Sequence, residues 1–121
     1  MHIKSHEING IQIAEITSET ITMIIEKEED GLDLLGMLYY QGFDRMIIYE
    51  ENITPDFFDL KNGMAGEILQ KFSNYRVRLA IVGDFSAYTG KSITDFMYES
   101  NQGKQVNFLN SLEEGLEKLA S

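Results

Sequence analysis

The chain of 121 residues has no cysteine, only two histidines and only one proline. Without cysteine there is no disulfide framework, no thiolate metal site and no cysteine nucleophile. The two imidazoles, His2 and His6, stand four apart on a predicted strand and so roughly 13 Å from each other, too far to share one metal ion. No metal and no cofactor is therefore expected. Basic residues are scarce as well: ten stand against twenty acidic ones, for a net charge of −10. That balance opposes nonspecific attachment to nucleic acid or to an anionic membrane surface. Lys27, Lys61, Lys71, Lys91, Lys104 and Lys118 are scattered, each with carboxylates nearby in sequence, and build no basic patch. No run approaches the ~18 apolar residues of a membrane span, and the N-terminus lacks a basic segment followed by an apolar one. The expectation is a cytoplasmic chain folded as one domain over residues 1–121.

What is present alternates between strand and helix patterns. Asn9-Gly10 between apolar runs predicts a type I′ hairpin pairing residues 2–8 with 11–16, because both turn residues tolerate positive φ. Ile11 and Ile13 then face one way, Ala14 and Ile16 the other. Residues 18–27 suit either a short strand or a helix entry. Leu32, Leu35, Leu38 and Tyr39 predict a helix over 29–41, followed by Gly42. Met46 to Tyr49 reads as a buried strand. Thr54-Pro55 reads as the N-cap and first position of a short helix carrying Phe57 and Phe58. Beyond a break at Asn62-Gly63, Met64, Ile68, Leu69 and Phe72 make a helical stripe. From Arg76 the pattern changes, and Val77 to Val82 is apolar on both faces, as in a strand covered on both sides. It stops at Gly83-Asp84. Ile93, Phe96 and Met97 mark another helix, closed by Gly103. Val106 to Leu109 marks a last strand, and Ser111 with Glu114 a capping box for a helix bearing Leu112, Leu116 and Leu119. Strands separated by helices of this length are parallel neighbours. The predicted fold is α/β, a mixed four- to five-stranded sheet with an N-terminal hairpin and helix–strand repeats.

The runs FFDLKNGMAGEILQKFSNYRVRLAIVGDFSAY and KSITDFMYESNQG are similar to the uncharacterised bacterial family called domain of unknown function 4180, over nearly the whole chain. That resemblance brings no established activity. The element order also resembles the STAS domain of anti-sigma-factor antagonists. In those domains a serine opening the helix after a central strand is phosphorylated to release a partner. The corresponding stretch here, Asp59-Leu60-Lys61-Asn62-Gly63, offers no serine or threonine, so this resemblance implies partner binding by that face without the phosphoswitch.

In open α/β sheets ligands bind outside the C-terminal ends of the parallel strands. Those ends are Tyr49-Glu50, Gly83-Asp84 and Leu109-Asn110. The loops leaving them supply the candidate contact residues Phe57, Phe58, Asp59, Lys61, Asp84, Phe85, Ser86, Tyr88 and Lys91, an acidic and aromatic edge suited to a cationic group or a basic protein partner. Gly90-Lys91-Ser92 has the context of a phosphate loop but not its spacing, since Phe85 stands where that motif needs glycine. Glu67, Glu99 and Asn101 are secondary candidates. The leading expectation is a non-enzymatic regulatory or protein-interaction module. A second reading is a small-molecule site or weak enzyme with Asp84, Ser86, Tyr88, Glu67 and Glu99 around a pocket. A third is a homo-oligomer paired through Tyr39, Tyr40 or the hairpin edge.

Overall fold

The computed structural model describes residues 1–20 and 22–121. Ile21, within the ambiguous run 18–27, lies outside the described residues. The hairpin strands are β1 (His2–Ile8) and β2 (Ile11–Thr17). Asn9 and Gly10 both take positive φ, 54° and 80°, as a type I′ turn requires. After them come α1 (Glu28–Tyr40), β3 (Arg45–Tyr49), α2 (Met64–Asn74), β4 (Arg78–Val82), α3 (Lys91–Gln102), β5 (Val106–Leu109) and α4 (Leu112–Leu119). Three single turns of 3-10 helix, Glu50–Asn52, Pro55–Phe58 and Leu60–Asn62, bridge β3 and α2. Ile25 pairs across to that bridge: its N–H donates to the Asn52 carbonyl and its carbonyl accepts from Thr54.

The sheet has five strands in the order β1-β2-β3-β4-β5, with β1 antiparallel to β2 and every later pair parallel. Right-handed crossovers that always step to the next strand place their helices on one face. Accordingly Leu34, Leu35 and Leu38 of α1, Ile68, Leu69 and Phe72 of α2, and Ile93 of α3 share one core with Ala14, Ile16, Met46, Ile48, Leu79, Ile81 and Phe108. The last helix, α4, covers the other face, where Leu119 meets Ile13, Ile47, Ala80 and Val82. Gly115 lets α4 come close, because a Cβ there would stand 3.3 Å from both Ile47 and Val82. At the start of β4 the Arg78 guanidinium donates to the carbonyls of Lys104, Lys118 and Ser121, tying the strand to the end of α4.

Several expectations need correction. The stripe on α1 is Gly31, Leu34, Leu35 and Leu38, and Tyr39 points outward. A Cβ on Gly31 would stand 2.7 Å from Ile68, so the close approach of α2 selects the face that carries Gly31 and Leu34 over the one that carries Leu32 and Tyr39. Arg76 has φ of 58° and ends the turn after α2, so β4 begins at Arg78. His2 and His6 do lie on the strand expected of them, since β1 pairs along its full length from His2 to Ile8.

Candidate functional site

The C-terminal ends of β3 and β4 meet because Gly83 carries no side chain. Its φ lies outside the left-handed region, and what excludes other residues is space: a Cβ there would stand 2.5 Å from Glu50 Cβ. Glu50 Cβ is fixed to the backbone and cannot swing aside. Gly83→Ala is expected to lower stability by about 1–3 kcal/mol, measured by urea denaturation; an unchanged midpoint would show that the strand ends separate freely.

Beyond Gly83 the loop is drawn back into the fold by its aromatic rings. Phe58 is buried at the centre, with Phe57 at 5.2 Å, Phe85 at 6.0 Å, Phe108 at 6.5 Å and Tyr88 stacked on it at 4.3 Å. Phe85 also meets Phe108 edge-on at 5.6 Å. Phe57 and Phe58 are thus core, with only an edge of Phe58 reaching a groove at the start of α3. Phe85 and Tyr88 are half-buried, which leaves part of each ring at the surface. Asp84, Ser86, Asp59, Lys61 and Lys91 are exposed.

The charge at this edge is uneven. The Asp84 carboxylate accepts from the Ser86 N–H at 2.9 Å, and that bond holds it below the ordinary aspartate value. Half-buried Glu50 behaves oppositely: burial first, then the negative charges of Asp84 and Glu51, push its carboxyl up. Tyr88 is pushed up as well, by burial and then by Glu50. Glu50 was missed by the sequence reading of contact residues, although it stood at a named strand end. On the far side of Phe58, Asp59, Lys61, Lys91 and Ser92 line an open groove of about 570 Å³ at the start of α3. Lys91 pairs there with Asp95 at 2.7 Å, both exposed.

The secondary candidates do not join this edge. Glu67 is exposed on α2, and Glu99 lines a separate groove between α2 and α3. Asn101 is committed to the fold: its Oδ1 accepts from the Phe108 N–H at 2.7 Å and its Nδ2 donates to the Phe108 carbonyl at 3.1 Å. With Ser100 donating to the Val106 carbonyl, α3 closes the outer edge of β5, which would otherwise offer free backbone groups for pairing.

A polar cluster that the sequence reading passed over lies on the α4 face of the sheet. Glu15, 6% exposed, has one carboxylate oxygen 2.6 Å from the donating Tyr49 hydroxyl and the other hydrogen-bonded to His6 Nε2 at 2.7 Å. Burial works to raise its carboxyl, but those two bonds and the nearby His6 and Lys4 charges bring it below the ordinary glutamate value. Burial, and then Glu15 itself, push the Tyr49 hydroxyl up. The alternation of β2 offered a signal, since Glu15 falls on the same face as Ile11 and Ile13.

Among the described residues no group of three or more histidine, aspartate or glutamate side chains is arranged to hold a metal ion, and no helix is long and apolar enough to cross a membrane. Compared with known proteins, residues 8–119 match the family described as domain of unknown function (DUF4180). No curated protein and no solved structure matches the chain.

Proposed function

The chain belongs to the DUF4180 family, and from that premise we propose that it is a non-enzymatic cytoplasmic regulatory module that binds a basic protein segment at the acidic edge of its parallel strands. The observation that carries this reading is Glu50. Its carboxyl is held half-buried beside Asp84 and Glu51, an arrangement that raises its proton affinity and costs the free protein stability. A lysine or arginine placed between Glu50 and Asp84 would relieve that repulsion, while the exposed parts of Phe85 and Tyr88 would cover its aliphatic stem. The anchored aromatic loop keeps these groups in place before a partner arrives, which limits the ordering cost of binding.

A STAS-like architecture belongs to the same proposal. It is supported by the N-terminal hairpin and by consecutive β–α units stepping in one direction across the sheet. The turn Leu60–Asn62 and the start of α2 then take the place of the switch region, without a hydroxyl to phosphorylate.

The test is a pull-down from native cytoplasm with the wild type and Asp84→Arg side by side, read by mass spectrometry. Asp84 is exposed, so its reversal is expected to leave the fold intact, with the lost Ser86 bond and the relieved repulsion on Glu50 moving the melting temperature in opposite directions. A protein retained by the wild type and lost by the variant supports the reading. Identical lists from two folded samples would remove this edge from consideration.

A further inference from the structure

A second site lies on the helix layer, away from the strand ends. α1 and α2 touch where Gly31 faces Ile68. Further along both helices a cleft of about 530 Å³ opens, with Leu32, Leu35, Gly36, Tyr39, Tyr40, Lys71 and Tyr75 around it. That volume is within the range of small-molecule sites. The floor is open because no atom lies within 4 Å of where a Gly36 Cβ would stand. Tyr39 and Tyr75 form a wall, their ring centroids 5.2 Å apart and their planes tilted by 59°.

Packing accounts for these rings only in part. Tyr39, Tyr40 and Tyr75 are 53%, 93% and 52% exposed, and they are three of the six large apolar side chains exposed among the described residues. Their concentration in one cleft, in a chain with twice as many acidic as basic residues, suits an occupant with an apolar, flat body.

The polar complement of the cleft narrows the occupant further. Its lining contains one charged group, Lys71, which has no carboxylate within 4 Å among the described residues. Most carbonyls in the last turns of both helices are already used. Leu38 and Tyr39 accept from Phe43 and Gly42, while Lys71, Phe72 and Ser73 accept from Tyr75, Val77 and Arg76. The interior N–H groups of the two helices are likewise spent in their own ladders. One ammonium matches a single negative charge. A phosphate ester, with nearly two charges and three acceptor oxygens, would find too few donors.

We propose that the α1–α2 cleft binds a small aryl carboxylate, its ring laid against the wall of Tyr39 and Tyr75 beside Leu32 and its carboxylate on Lys71. This site is independent of the acidic edge, and its Lys71 makes it the better match for an anion in a molecule of net charge −10.

The probes are 2-naphthoate, 2-naphthamide and 2-naphthylmethylammonium, which share a ring and differ in charge, each titrated into the ¹⁵N-labelled protein and followed by amide shifts. Naphthoate is expected to bind most tightly and to shift Gly36, Tyr39, Lys71 and Tyr75. Lys71→Gln should weaken naphthoate about tenfold while leaving naphthamide unchanged, the loss typical of one charge-assisted hydrogen bond. Gly36→Leu, which fills open space on a helix and should fold at least as stably, is expected to abolish binding of all three. Four results overturn the proposal: no saturable shift at these residues; equal losses of naphthoate and naphthamide in Lys71→Gln; tightest binding by the ammonium; or unimpaired binding in Gly36→Leu. A sedimentation series showing dimers that Tyr40→Lys dissolves would overturn it too, by assigning the cleft to a second copy of the chain.

Discussion

Phe58→Ala is expected to lower the unfolding free energy by about 3–5 kcal/mol, the cost of deleting a large buried ring that its surroundings cannot refill. Phe58 is 4% exposed and meets four other aromatic rings, so its loss leaves a cavity bounded by stiff groups. Two of those rings, Phe85 and Tyr88, belong to the loop that presents Asp84. The variant should therefore show faster amide exchange from Asp84 to Thr89 as well as a lower denaturation midpoint. Phe85→Ala removes a half-buried ring at the rim and should cost less. If Phe58→Ala were as stable as the wild type, the aromatic cluster would not anchor this loop, and the rigidity assigned to the acidic edge would have no source.

The second large effect concerns Glu15. Glu15→Gln is expected to cost about 1.5–3 kcal/mol, because the Tyr49 and His6 groups that face the carboxylate lose a charged acceptor inside the fold. The pH dependence gives the sign. Glu15 has a lower proton affinity in the folded protein than in the unfolded chain, so it contributes stability above the unfolded value of about 4.3 and loses it as pH falls through the folded value. The difference in stability between wild type and Glu15→Gln should shrink as pH falls from 6 to below about 4.3. Urea midpoints across that range measure it. A difference that grew with acid would mean that burial, and not the two hydrogen bonds, governs this carboxyl. Tyr49→Phe should reproduce part of the effect, since it removes one of the two bonds and leaves the charge.

Most elements of this fold were legible because they rest on local signals. Asn9-Gly10 can be read as a I′ turn from two residues, and the apolar runs of β3 and β4 mark strands covered on both faces. The capping serine of α4 is also local: Ser111 Oγ accepts from the Glu114 N–H at 3.1 Å. Where local signals competed, the reading was less sharp. On α1, leucines occur on more than one face, and only the approach of α2 at Gly31 selects the buried one. The short helix at Thr54-Pro55 is a single turn, because Asp59 leaves the helical path at φ of −94° and ψ of 92°.

The candidate site was legible as an edge but not as a surface. Chain order places Glu50, Asp84 and Tyr88 at strand ends, and that much follows from alternating strands and helices. Which aromatic residues remain accessible depends on rings supplied by β5 and by the turn before α2, elements 20 to 50 residues apart in sequence, so burial of Phe57 and Phe58 had no local mark. The same holds for Glu15, whose partners come from neighbouring strands on either side, and for Asn101, which looked like a free polar residue and closes the edge of β5.

By itself the sequence determined the class of the molecule: no cysteine chemistry, an acidic surface, and strand and helix periods that admit one α/β sheet. Those properties follow from residue types and from spacings shorter than one element. Only the tertiary structure decided which carboxylates are strained, which rings are core, and where two helices part to leave a cleft. Burial, pairing and charge repulsion arise between residues distant in the chain, and their balance is set by packing that no single segment encodes.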